Sequence, residues 1–239
     1  LLWALVILLI REPPRRQSDS TAEAGATSGR LGKAIWLRAA PIYLVVAMAS
    51  LVDNAVGAWS PSLFIRSFAK DPAQVGMQLG LLLTAGFGAG VLIGGWLADR
   101  AGVRGGWSAK LGICLACGLL LVPESLLINA SEFAVALYSI PLYFALSGAV
   151  TACGFSAILD IVPNTRRGLA MAVSFFLNVA LGGGLGPPAV TFASQHVFGE
   201  AAGLGPAIAL TVGGCYALVA LICTFTLLSQ RRRNHLVAI

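Results

Sequence analysis

Long stretches of uninterrupted apolar residues alternate along this chain with short segments rich in Arg, Asp, Gly and Pro. A bilayer crossing needs about 20 mostly apolar residues, and somewhat more where the helix tilts. Six stretches meet that requirement, at 40–64, 75–98, 107–128, 133–161, 168–193 and 204–228. Soluble helices of such length carry a polar face, whereas these are evenly hydrophobic. The pattern predicts an all-α membrane protein, and no strand-like alternation interrupts it.

Ahead of the six lies a shorter apolar run, Leu1 to Ile10, about half of what a crossing needs. A cleaved secretory signal has its basic region before the apolar stretch. Here the basic residues follow it, so the run reads as the tail of a preceding transmembrane helix and the chain as a fragment. Residues 11–38 then carry Arg11, Arg15, Arg16, Arg30, Lys33 and Arg38 among Pro, Ser, Thr and Gly, the composition of a flexible polar linker. The expected organisation is a helix tail at 1–10, a linker at 11–38, six membrane helices within 39–230 and a basic tail at 231–239.

Composition agrees with this reading. Apolar residues make up 57% of the chain and charged ones 11%, against about 25% charged in soluble domains. The basic residues also fix an orientation. Six fall in the linker, three after the second span (Arg100, Arg104, Lys110), two after the fourth (Arg166, Arg167) and three at the tail (Arg231, Arg232, Arg233). Only Arg66 and Lys70 fall on the other side. Basic residues collect on the cytoplasmic side of membrane proteins, so linker and C-terminus are expected to be cytoplasmic. The net charge of +6 follows from topology and implies no nucleic-acid partner. Five cysteines lie inside apolar runs. The Cys114-x-x-Cys117 spacing has no His, Asp or second pair nearby, and reads as small buried residues on a membrane helix.

The most specific local signal is Gly95-Trp-Leu-Ala-Asp99-Arg100-Ala-Gly102-Val-Arg104, at the cytoplasmic end of the second span. An acid, an arginine and a glycine suit a very short turn between helices. Gly102 is expected to permit that turn, and Asp99 to pair with Arg104 or cap a neighbouring helix. The next cytoplasmic turn holds Asp160, Pro163, Arg166, Arg167 and Gly168. Both Asp160 and Arg167 lie at a membrane boundary, where pairing lowers the cost of partial burial.

The Gly-x3-Asp-Arg-x-Gly-x-Arg spacing resembles the signature loop of the major facilitator superfamily, found between the second and third helices of each half. The resemblance implies the C-terminal six-helix bundle of a twelve-helix fold, entered from an inter-half linker, as expected of half of a repeated carrier. In that family the loop gates the cytoplasmic side by latching one half to the other. It implies a gate of Gly95, Asp99, Arg100, Gly102 and Arg104, joined by Asp160 and Arg167. Further words, Trp59-Ser-Pro61-Ser-Leu-Phe64-Ile-Arg66, Asp160-Ile-Val-Pro163-Asn-Thr-Arg166 and Asn178 to Pro187, look like spinster-like carriers. Members of that branch are associated with export of lysolipids, sphingoid-type lipids or other amphipathic molecules. The implied function is ion-gradient-driven export from the bacterial inner membrane, with protons the leading coupling ion. The implied partners are the N-terminal half, the bilayer and a small-molecule substrate. Carriers of small polar solutes or organic anions form the alternative, and a non-transporting receptor or permease subunit an alternative of another class.

Candidates for the substrate path come from polar residues at membrane depth. Asp53, followed by Asn54, lies midway along the first span, and an ionisable residue there is a functional hypothesis by default. It either carries a proton or faces a cationic or hydroxylated substrate; an acid bonded only to Asn54 or a neighbouring helix is the plainer alternative. Tyr143, Ser147 and Thr151 recur every four residues on the fourth span, one stripe along a helix, and Asn178 lies on the fifth. Glycines Gly86, Gly90 and Gly94, and again Gly182 and Gly186, repeat at four, which lets helix backbones approach closely. Sliding interfaces and static packing both use such stripes. Pro187 and Pro188 are expected to end or kink the fifth span. The sequence has no nucleotide-binding Gly-rich loop with Lys and no His-Glu cluster, and His196 and His235 stand alone. No catalytic residue, metal site or cofactor is assigned, and the chain is not read as an enzyme.

Overall fold

A computed structural model describes residues 30–199 and 203–237. The expected helix tail at 1–10, the linker up to residue 29 and the last two residues lie outside the described part. The described residues from Leu37 onward form one compact unit. Among the described residues six helices are long and apolar enough to cross a membrane: α1 Ile35–Phe68, α2 Pro72–Val103, α3 Gly105–Leu127, α4 Phe133–Ile161, α5 Asn164–Phe198 and α6 Leu204–Arg232. No strand occurs among the described residues. The six expected spans are all present, and most are longer than their apolar cores.

The largest extension is at the start, where helix begins at Arg30 inside the stretch expected to be linker. Leu31, Ala34 and Leu37 are strong helix formers, no proline interrupts them, and the helix runs through Gly32. The α1–α2 turn is short. Asp71 caps α2, its Oδ2 accepting from the Ala73 and Gln74 amides at 3.1 Å each, with Pro72 supplying the preset first helical residue.

The turn between α2 and α3 differs from expectation. The helical run from Pro72 continues to Leu127 with a single break at Gly106, φ 58° and ψ −149°. Gly102 is helical. The backbone reversal therefore falls four residues later, at a position where only glycine is comfortable. Gly102 instead lies against the Lys110 side chain, whose Cε is 2.9 Å from where a Cβ would stand.

Glycine stripes let two helix pairs approach closely. A Cβ on Gly86, Gly90 or Gly94 of α2 would strike the α4 backbone at Pro141, Ala145 and Ala149 respectively. A Cβ on Gly182 of α5 would strike Ser50 and Asn54 of α1, and one on Gly186 would strike Leu51 and Ala55. Between α1 and α5 three side chains of α1 donate to carbonyls of α5. These are Tyr43 Oη to Ala170 at 3.1 Å, Ser50 Oγ to Asn178 at 3.2 Å and Trp59 Nε1 to Pro187 at 3.0 Å. Residue numbers rise together on both helices, so the pair runs parallel. Pro187 and Pro188 do not end α5. Its backbone passes through a π-helical turn, Asn178–Gly183, just before them, one of the recognised ways a helix absorbs a local disruption.

Burial is uneven. In α1 and α4, 56% of the most apolar window is covered by this chain, but only 22% in α2 and 17% in α5. Met77, Leu81, Leu92 and Trp96 on α2 and Phe175, Phe176 and Phe192 on α5 are among the large side chains left exposed. A membrane bundle leaves apolar side chains to lipid or to a further bundle, and α2 and α5 leave most.

Candidate functional site

Two helices bring hydroxyls to one carboxylate near the middle of a third, α1. Asp53 projects from α1; Tyr143 and Ser147, one turn apart, project from α4; Tyr216 projects from α6. Tyr143 Oη donates to Asp53 Oδ1 at 2.9 Å and Ser147 Oγ donates to the same oxygen at 2.6 Å. Tyr216 Oη donates to Ser147 Oγ at 2.8 Å. The two tyrosine rings meet edge to face, centroids 6.2 Å apart, in a geometry favoured by ring quadrupoles. Tyr143, Ser147 and Tyr216 are fully buried, while Asp53 is half-buried. Its second oxygen, Oδ2, has no partner among the described residues. The cluster thus holds one carboxylate oxygen with two donors and leaves the other for a proton, a cation or a donor group to reach.

Asp53, Tyr143 and Ser147 were each expected on the substrate path, and the fold joins them. Asn54 is exposed and turns back along α1, its Nδ2 donating to the Ser50 carbonyl at 2.9 Å. It does not bond Asp53. Asn178 contributes its backbone, not its side chain, as the acceptor from Ser50 at the start of the π-helical turn. Thr151 is half-buried one turn beyond Ser147 and takes no part in the hydroxyl cluster.

At the α2–α3 turn the signature residues are spread out. Asp99 and Arg100 are exposed, and the Arg100 guanidinium lies over the Trp96 ring, 3.9 Å from its centroid, a cation–π contact. Gly95 has open space where a Cβ would stand. The side chain of Arg104 lies outside the described residues. Asp160 does not pair with Arg167. Its Oδ2 lies 2.6 Å from Lys110 Nζ, which also donates to Ser156 Oγ at 2.9 Å. Arg167 is exposed at the head of a helical segment. The reason is geometric: Asp160 is in the last turn of α4, facing α3, whereas Arg167 follows the Val162–Pro163 turn and points away with the next element.

Sequence reasoning missed three residues here. Tyr216 is the buried end of the hydroxyl cluster. Lys110, only 5% exposed, was counted as one more cytoplasmic charge and is instead a buried ion-pair member. Glu124 of α3 is 4% exposed, with neither carboxylate oxygen partnered among the described residues. The rule that singled out Asp53, an acid within an apolar run, would have found Glu124. The cysteines serve packing: Cys114 Sγ donates to the Val150 carbonyl at 3.6 Å and Cys153 Sγ to the Gly94 carbonyl at 3.3 Å.

A family model described as the Major Facilitator Superfamily matches residues 1–187. An MFS-type efflux pump of Mycolicibacterium smegmatis is 30% identical over 205 residues, covering 82% of this chain and 47% of that protein. The chain thus spans about half the length of the curated relative it matches. No solved structure matches.

Proposed function

The chain belongs to the major facilitator superfamily, and from that membership we propose that it works as half of a secondary active transporter, exporting an amphipathic or lipid-like small molecule by alternating access. The observation that carries the reading is the Asp53 cluster. Ionisable groups at membrane depth are costly and rare, and mark ion or substrate paths; this one is half-buried, with an oxygen left open. That the Mycolicibacterium relative is an efflux pump supports the outward direction. Coupling to protons draws on the same carboxylate.

In this reading a preceding six-helix half packs against the faces of α2 and α5 that this chain leaves most open. The linker, within residues 11–38, and the basic tail at 231–239 lie in the cytoplasm of the inner membrane, as the distribution of Lys and Arg supports. Asp99, Arg100 and Arg104 at the α2–α3 turn form the cytoplasmic latch, with the Lys110–Asp160 pair beneath them. The spinster-like words around Trp59, Asp160 and Asn178 support a lipid-like substrate. The hydroxyl lining of the cluster favours a second reading, a carrier of small polar solutes.

The test is transport by the intact protein in proteoliposomes under an imposed proton gradient, with lysolipids, lipophilic drugs and organic acids as the panel. Gradient-driven movement of an amphipathic compound is the expected result. Movement of small polar solutes alone would replace the lipid-like substrate with the second reading. No movement of any compound would overturn transport in favour of a receptor or permease subunit.

A further inference from the structure

Tyr216 has no place in the motifs that resemble the family, yet it closes the hydroxyl chain behind Asp53. A hydroxyl has one proton to donate, so the direction of each bond in the chain can be counted. With both donors aimed at Asp53 Oδ1, Ser147 spends its proton on the carboxylate and accepts from Tyr216. Every hydroxyl is then satisfied. In the reverse direction Asp53 would donate from Oδ1 to Ser147, and Ser147 to Tyr216. The Tyr216 proton would then need an acceptor. Tyr216 is fully buried; its well-formed hydrogen bond is to Ser147, and the Tyr143 hydroxyl beside it does not reach hydrogen-bond geometry. The reversed chain would therefore leave a buried donor unmade, which costs more than a made bond contributes.

We propose that Tyr216 is a positioning residue that locks Ser147 as a donor to Asp53 Oδ1 and so reserves Oδ2 as the atom that takes the proton or the substrate's donor group. The proposal rests on the reading of Asp53 as the transport site. Tyr216 acts through Ser147, its well-formed bond at 2.8 Å; the Tyr143 hydroxyl is a looser neighbour whose own proton is committed to Asp53 Oδ1. Without the phenol hydroxyl, Ser147 is released to bond its own helix at the Tyr143 carbonyl, four residues back, as serine in helices does. Phenylalanine at 216 would keep the ring against Tyr143.

The experiment is infrared spectroscopy of the intact protein in acidified proteoliposomes, following the carboxyl band that Asp53→Asn removes. A proton on Oδ2 leaves Oδ1 as the carbonyl, lowered in frequency by two donors. Ser147→Ala and Tyr216→Phe are each expected to move that band to higher frequency. The double variant is expected to move it no further than Ser147→Ala alone. In the efflux assay the same order is expected: each single change raises the apparent KM about tenfold, the size of one lost charge-assisted bond, and the double change matches Ser147→Ala.

An unmoved band in Tyr216→Phe, or shifts that add in the double variant, would overturn the proposal. Wild-type efflux by Asp53→Asn would instead sink the transport-site reading, with the band test still deciding what Tyr216 does. A change in thermal stability alone, without a band shift, would assign Tyr216 to packing.

Discussion

Replacing the two members of the Lys110–Asp160 pair one at a time should have unequal consequences. Nζ and Oδ2 are 2.6 Å apart, and the two differ in cover: the side chain of Lys110 is 7% exposed and that of Asp160 33%. Removing one member of a buried pair costs about 3–5 kcal/mol because the other charge stays buried. In Lys110→Met the stranded carboxylate can hydrate through its open third, which brings the loss to about 2–3 kcal/mol. The methionine also keeps most of the stem that rests on Gly102. In Asp160→Leu the ammonium is left almost wholly covered, with Ser156 as its remaining acceptor, and the loss should reach about 4–5 kcal/mol. The double variant, apolar on both sides, should recover most of the stability, since apolar replacement of a whole buried pair is often neutral. Unfolding of the intact protein in mixed micelles with rising SDS reads all three on one scale. Additive losses, or an Asp160→Leu variant milder than Lys110→Met, would refute both the pairing and the burial argument.

Other predictions follow from close packing and from the latch. Gly90→Ala should destabilise the protein by about 1–3 kcal/mol, because a Cβ there would stand 2.7 Å from the Ala145 Cα and α2 and α4 would have to part. Gly95→Ala, with open space at its Cβ position, should be neutral in the same SDS titration, and equal losses at the two sites would contradict the packing. Asp99→Asn should slow transport several-fold while leaving expression and insertion unchanged. A wild-type flux from that variant would remove Asp99 from the latch.

The membrane architecture was legible because a bilayer imposes a length and a composition on each crossing. The helix ends were less so. Arg30 to Arg38 looked like linker from its charges and Gly32, but charges do not stop a helix and a single glycine only weakens one. The turn after α2 was located by a motif, which drew attention to Gly102, whereas the dihedral reversal is at Gly106. The glycine stripes were visible as spacing, and their partners on α4 and α1 were not. Asp53, Tyr143 and Ser147 could each be picked out by polarity, but 90 and 94 residues separate the acid from its two donors, and nothing in one sequence pairs them. Tyr216 was hidden because a tyrosine in an apolar run looks like packing. Lys110 was hidden because a lysine near a span end looks like topology. In both cases the informative fact is what the side chain touches.

The transport account turns on Asp53. Its most direct test compares intact wild-type protein with Asp53→Asn in proteoliposomes, matched for protein content, measuring gradient-driven efflux of whichever panel compound the wild type moves. Asparagine keeps the shape and an acceptor for Tyr143 and Ser147 but cannot carry the charge. The account predicts that gradient-driven efflux collapses while thermal stability stays near wild type. Efflux at the wild-type rate, with the same response to the gradient, would contradict it.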